Sequence, residues 1–192
     1  MWTYIIIFAI STGFIYISEL IDYKVVDKSK KLFSNSFRML GVLTPAVLAG
    51  VRSFQVGTDI NVYGNRIFQS SLNSDELRSF IYDNPYFVSH YEKGYLALNY
   101  VISRFTDDSH MYYFILNLIF VTIAYYSIKI LDSHLSVTFS WSLFLFTTWL
   151  FSLNILRQSI AMTISFLCIS LLLKNKAFEG VVCAVIAVFF HD

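Results

Sequence analysis

Seven residues carry the chemistry this sequence can offer: Arg52, Asp59, Glu92, Asn154, Arg157, Gln158 and His191. Arg157 and Gln158 open an apolar run, with Asn154 just before them. At helical spacing, positions 154, 157, 158, 161 and 165 share a face, a stripe of Asn154, Arg157, Gln158, Ala161 and Ser165. An arginine at membrane depth is costly and usually faces a partner or an aqueous cavity. At a helix N-terminus, backbone N–H groups and the helix dipole also favour an anion. An anionic ligand such as a lipid phosphate is one reading; an arginine snorkelling to the headgroups is the other. Arg52 and Asp59 bracket a second segment, Arg-Ser-Phe-Gln-Val-Gly-Thr-Asp. Its guanidinium suits a phosphate and its carboxylate a general base. A snorkelling Arg52 and an ordinary N-cap Asp59 are the plainer alternative. Glu92 is either a second carboxylate for the site or a solvated acid at a helix start.

Other chemistries find no support. There is no glycine-rich nucleotide loop, no nucleophile elbow and no His-Glu-x-x-His. His90, His110 and His134 stand alone, without metal-ligand spacing. Cys168 and Cys183 lie in apolar runs and read as buried thiols, although a bridge between them is conceivable. No cofactor is expected; a divalent metal is possible, but nothing demands one. Asn117, inside an apolar run, reads as a helix–helix hydrogen bond.

The elements that must position these residues are membrane helices. Among 192 residues, 14 basic and 13 acidic side chains make 14% charged, while 56% are hydrophobic and 18% aromatic. So few charges cannot cover that apolar content in a soluble domain. The net charge of +1 also excludes a strongly basic nucleic-acid binder. A spanning helix needs about 20 mostly apolar residues. Trp2 to Leu20, Phe37 to Val51, Met111 to Leu131, Leu135 to Leu153 and Asn154 to Leu173 meet or approach this. The last two form a tight hairpin. Phe178 to Phe190 is too short to span comfortably. The sequence opens on a retained helix rather than a signal peptide, since no basic segment precedes the apolar run. The fold class is therefore all-α, a polytopic transmembrane bundle read as one domain over residues 1–192.

Residues 52–110 form a long loop outside the membrane. Ile60, Tyr63, Ile67 and Phe68 recur at helical spacing behind the cap candidates Thr58 and Asp59. Leu77, Phe80 and Ile81 do so behind Asn73, with Glu76 at the capping-box position. Tyr91 to Phe105 is apolar on one side, and Asn84–Pro85 marks a turn. These segments read as amphipathic helices lying along the membrane surface. Ser109 is the expected cap of the helix that follows.

Orientation follows from the lysines. Lys24, Lys28, Lys30, Lys31 and Arg38 place the first connection in the cytoplasm, with the N-terminus and residues 52–110 outside. Lys129, Lys174 and Lys176 agree, provided Tyr91–Phe105 does not span. All seven candidate residues then fall on the outer side.

The blocks Arg52-Ser-Phe-x-Val-Gly-Thr-Asp59-x-x-x-Tyr63, Glu92-x-Gly94-Tyr95-x-x-Leu-Asn99, Asn154-x-x-Arg157-Gln158-x-x-Ala161 and Phe190-His191 resemble the EpsG family in order and approximate spacing. The resemblance runs from about the second span to the end. It implies a bacterial polymerase that joins repeat units of O-antigen, capsule or exopolysaccharide on the outer face of the cytoplasmic membrane. The glycan would pass from one undecaprenyl-diphosphate carrier to another lipid-linked repeat unit. The layout is also similar to C-type glycosyltransferases. By that analogy Asp59 would activate the acceptor hydroxyl, with Glu92 and His191 as further catalytic candidates. Arg52, Asn154, Arg157 and Gln158 would bind diphosphate. Other polysaccharide-export proteins are expected partners alongside membrane lipid.

Family members continue through further spans, and Asp192 stands where a serine commonly follows the histidine, so the sequence reads as the N-terminal part of a longer protein. Alternatives are an O-antigen ligase, a transferase using a polyprenyl-phosphate sugar, or a non-catalytic membrane component or inactive fragment. The orientation is directly testable. Alkaline phosphatase fused within residues 52–110 should be active and a cytoplasmic reporter there silent; the opposite pattern removes an outer-face site.

Overall fold

The computed structural model describes residues 2–24, 28–132 and 136–191, and no β-strand occurs among them. Among the described residues, four helices are long and apolar enough to cross a membrane: α1 (Trp2–Lys24), α2 (Lys28–Val51), α7 (Ser109–Ile130) and α10 (Leu156–Leu173). At 1.5 Å per residue, even the 18 residues of α10 reach about 27 Å, close to the hydrocarbon thickness. The second span thus starts earlier than Phe37. The chain is an all-α, multi-pass membrane protein. The fourth apolar run is shorter. It comprises α8 (Val137–Phe144), a π-helical turn (Leu145–Trp149) and α9 (Leu150–Ser152). Its expected start at Leu135 lies outside the described residues, as does His134. A helical hairpin with α10 does form, but Asn154 sits in its turn rather than in the helix. The last run is α11 (Ala177–Val188), 12 residues, and only Gly180 and Ala187 of it are buried.

The α1–α2 hairpin is joined by an Arg38–Asp22 ion pair and by Ser34 donating to the Ser18 carbonyl at 3.1 Å. Pro45 sits inside α2, and because it has no N–H, the carbonyl of Gly41 loses its helical donor. Ser11 of α1 supplies the missing bond, its hydroxyl donating to Gly41 O at 2.6 Å. Trp141 of α8 in turn donates Nε1–H to Ser11 Oγ at 3.0 Å. One proline thereby ties three helices together, as a backbone group in lipid must find some partner. A second tie is the expected one at Asn117, whose Oδ1 accepts from Trp149 Nε1 at 2.9 Å. At the other end of α8, Glu19 accepts from the Thr138 N–H at 3.0 Å, an acid at a helix N-terminus.

Residues 60–103 fold into the Ile60–Gly64 π-turn, α3 (Asn65–Leu72), α4 (Leu77–Tyr82), α5 (Pro85–His90) and α6 (Lys93–Ser103). Their apolar faces turn toward one another and toward one end of the bundle. Ile60, Ile67, Phe68, Phe80, Phe87, Leu96 and Ile102 share a core with Tyr112 and Leu116 of α7 and Leu156 and Ile160 of α10. These helices are thus a cap built onto α7 and α10. At 11 residues, or about 17 Å, α6 is too short to span. A buried network fastens it: Tyr112 OH donates to Asn99 Oδ1 at 2.7 Å, and Asn99 Nδ2 donates to Tyr95 O at 2.8 Å.

Several caps differ from the sequence reading. Asp108, not Ser109, caps α7 by accepting from the His110 N–H at 2.8 Å. Glu76 itself occupies the N-cap of α4, while Asn73 ends α3. Asn84–Pro85 starts a helix, α5, rather than a mere turn, with Asn84 as cap and Pro85 at the first helical position. The helix behind Gly57 already includes Thr58 and Asp59.

Ser11→Ala should leave two buried groups unpaired and destabilise the protein by roughly 1–3 kcal/mol. Pro45→Ala restores the N–H that Gly41 O lacks, so Ser11→Ala should cost less in that background. Unfolding in detergent of the four proteins of this cycle measures the coupling; additivity would refute the repair.

Candidate functional site

The site end of the bundle is organised by a close crossing of two chain segments. Gly57 has φ of +105°, and a Cβ there would lie 2.3 Å from the carbonyl oxygen of Leu153. Only glycine tolerates both conditions. With the segments this close, each caps the other's helix. The Thr58 N–H donates to Asn154 Oδ1 at 3.2 Å, and the Leu156 N–H donates to Asp59 Oδ2 at 2.9 Å. Asp59 also accepts from the hydroxyl of Tyr63. The anion at the start of α10 is therefore the protein's own carboxylate, not a position open to a lipid phosphate. Asp59 does not cap its own helix.

Beside this crossing, Glu92 stands at the N-cap position of α6 in an extended conformation. Its two oxygens are divided between a guanidinium and an imidazole. Arg157 Nη1 meets Oε2 at 2.5 Å, and His191 Nδ1 meets Oε1 at 3.0 Å. Arg157 also donates to the His90 carbonyl at 3.2 Å. Its Cζ lies 5.0 Å from the ring centre of Tyr63 and 5.1 Å from that of Tyr91, so aromatic faces hold the guanidinium in place. His191 arrives because the end of α11 docks on the start of α6. The Gly94 N–H donates to Phe189 O at 2.8 Å, and a Cβ at Gly94 would sit 2.4 Å from that oxygen. A cavity of about 340 Å³ opens here, lined by His90, Tyr91, Glu92, Lys93, Val188 and Phe189 among others.

The electrostatics follow from these contacts. Burial works against the charged form of Glu92, but the hydrogen bonds from His191, its own backbone and Arg157 together hold the carboxyl below its ordinary range. Burial pushes the Tyr63 phenol far up, with Tyr95 and Asp59 adding to it, so Tyr63 stays a proton donor. An ionised carboxylate gripped by a guanidinium and an imidazole can position an anion and accept a proton.

The structure thus brings together Glu92, Arg157 and His191, and connects Asp59 to them through Tyr63. It does not bring in the other three. Asn154 is exposed and occupied as a cap, and Gln158 is exposed with no hydrogen bond among the described residues. The expected stripe divides, with Ala161 buried and Gln158 and Ser165 exposed. Arg52 is buried elsewhere, 5.5 Å from the Tyr113 ring centre, and does not pair with Asp59. Tyr63 and Tyr91 were not foreseen as supports of Arg157. The i, i+4 spacing of Asp59 and Tyr63 was a signal for the first; nothing local marks the second. Among the described residues no three of His, Cys, Asp and Glu gather as a metal-binding group. Cys168 and Cys183 are unbridged and half-buried.

Residues 35–192 match the family model of the EpsG family. No curated protein and no solved structure matches the chain.

Because the Glu92 carboxyl is depressed in the folded protein, its contribution is complete above the ordinary glutamate value of 4.5 and is lost as pH falls through the lower folded value. Thermal unfolding between pH 6 and pH 3 should show a weaker acid-side loss of stability in Glu92→Gln than in the unsubstituted protein. Equal slopes would mean that the ion pair contributes nothing.

Proposed function

The chain belongs to the EpsG family, a family of membrane proteins of polysaccharide biosynthesis, and we propose that it polymerises lipid-linked oligosaccharide repeat units on the outer face of the bacterial cytoplasmic membrane. The observation that carries this reading is the Glu92 carboxylate held by Arg157 and His191 at the edge of the cavity. The lysines Lys129, Lys174 and Lys176 at the opposite ends of α7, α10 and α11 support the outward placement.

Glycan transfer from a polyprenyl diphosphate needs a base and a cation. The acceptor hydroxyl oxygen attacks the anomeric carbon, its proton passes to a carboxylate, and the carbon–oxygen bond to the diphosphate breaks. The leaving diphosphate keeps the electron pair. Arg157 suits that charge, being planar, multidentate and oriented by two tyrosine rings. The same act prepares the base. Once the guanidinium turns to the diphosphate, Glu92 loses a partner that held its proton affinity down, and it becomes more basic as the proton must leave the hydroxyl. His191 keeps the carboxylate aimed meanwhile. Glu92 lines the cavity, whereas Asp59 is bonded to Leu156 N–H and Tyr63, so Glu92 is the base favoured and Asp59 the residue that sets Tyr63 under Arg157.

Expression in a strain arrested at single lipid-linked repeats should restore long chains, displayed as a ladder on a gel. Arg157→Ala and Glu92→Gln, at equal membrane levels, should each lower chain formation on the order of 10² or more. Undiminished ladders from both variants would overturn the site. Long chains left unattached in the parent's absence would indicate a ligase instead.

A further inference from the structure

Arg52 follows the last residue of α2 and is 6% exposed. An arginine keeps its proton in folded proteins, so the buried group is a cation. Its Nε and Nη1 atoms are buried and have no hydrogen-bond partner among the described residues. The carboxylates at this end of the bundle are engaged elsewhere. Asp59 accepts from the Leu156 N–H and from Tyr63, and Glu92 pairs with Arg157 and His191. The Tyr113 ring, centred 5.5 Å from Cζ, offers an aromatic face but no full charge. Buried donors without a protein acceptor, on a cation without a protein counter-charge, favour a bound ligand that is negative.

The surroundings select its size and kind. The guanidinium lines a cleft of about 10 Å³ where α2, α7, α9 and α10 meet. That is room for roughly one water-sized particle, too little for a phosphate, sulfate or carboxylate group. Asn117 lines the same cleft, and its Oδ1 accepts from Trp149 Nε1, which leaves Nδ2 to donate. Ser152 and Ser159 line it too, but their hydroxyls already donate to the Trp149 and Leu156 carbonyls at 2.6 and 2.8 Å. The remaining wall is apolar, with Leu116, Phe120 and Ile160. Apolar walls penalise strongly hydrated ions most, and a guanidinium is itself more weakly hydrated than an ammonium. A weakly hydrated monatomic anion meets all three conditions of charge, size and desolvation.

We propose that Arg52 and Asn117 form a binding site for a single halide ion, chloride under cellular conditions. The ion neutralises the buried guanidinium at the junction of three spanning helices. Leu156 lines the same cleft and donates its N–H to Asp59, so the ion also braces the start of α10, next to Arg157. The site is independent of the polymerase reading, and it shares no lining residue with the cavity at Glu92.

The test is thermal unfolding of the purified full chain in detergent as chloride replaces gluconate at constant ionic strength, beside equilibrium dialysis against radiolabelled chloride. At chloride about a hundredfold above its dissociation constant, the unfolding temperature should be higher by roughly 5–10 °C, with a single ion held per chain. Bromide should act as chloride does, whereas sulfate and phosphate should leave the temperature where gluconate does. Arg52→Gln should abolish both the shift and the bound ion. Ser159→Val, which narrows the cleft and leaves Arg52 in place, should weaken chloride binding at least about tenfold, and it decides the matter if Arg52→Gln does not fold. Arg157→Ala should keep the full response. An unfolding temperature indifferent to chloride would mean that water alone serves the guanidinium, and would overturn the proposal. An undiminished shift in Arg52→Gln or Ser159→Val, its loss in Arg157→Ala, or a phosphate response equal to that of chloride overturns it too.

Discussion

Everything at the site end hangs on two backbone N–H groups, those of Thr58 and Leu156, each satisfied by a side chain from the other's strand of chain. Helix starts leave such donors unpaired, and a side-chain oxygen can satisfy them. Here the need is met reciprocally across almost a hundred residues of sequence. The arrangement brings Asp59 to the start of α10, so that the next residue, Arg157, projects over Tyr63. Gly57 makes the crossing possible by allowing the Leu153 carbonyl to approach where a side chain would stand. The geometry of the proposed site is therefore a by-product of capping.

The two arginines show how burial alone separates similar residues into different tasks. Arg157 is partly buried and compensated by a carboxylate, a carbonyl and two ring faces. Such a cation is oriented and exchangeable, able to leave one anion for another. Arg52 is more deeply buried, beside the Tyr113 ring, and no carboxylate pairs with it among the described residues.

Much of the architecture was legible because hydropathy in a membrane leaves few choices. Apolar runs locate α1, α2, α7 and α10, although the run at Phe37 shows only the later part of α2, and the run expected to span at Leu135–Leu153 folds as the shorter α8–α9 segment. The polar outliers were also legible as a group, since Glu92, Arg157 and His191 do meet. What escaped was pairing at a distance. Nothing near Asp59 says that its acceptor serves Leu156, 97 residues away, and Asn154 looked like a ligand residue when it is a cap for Thr58. Cap assignments slipped by one residue at Ser109 because Asp108 and Ser109 are both good caps. Arg52 and Asp59 read as phosphate binder and base of one site, yet the turn at Gly57 sends one into the bundle and the other to α10.

The docking of α11 on α6 through Gly94 has a consequence for biogenesis. Glu92 and His191 are 99 residues apart, and at translation rates of about 5–20 residues per second the carboxylate waits roughly 5–20 s for its imidazole. Arg157 follows Glu92 by 65 residues and His191 follows it by 99, so the guanidinium reaches the carboxylate before the imidazole does. The histidine comes last, over a helix that buries little else, and the completed triad marks a chain whose membrane insertion has proceeded through α11.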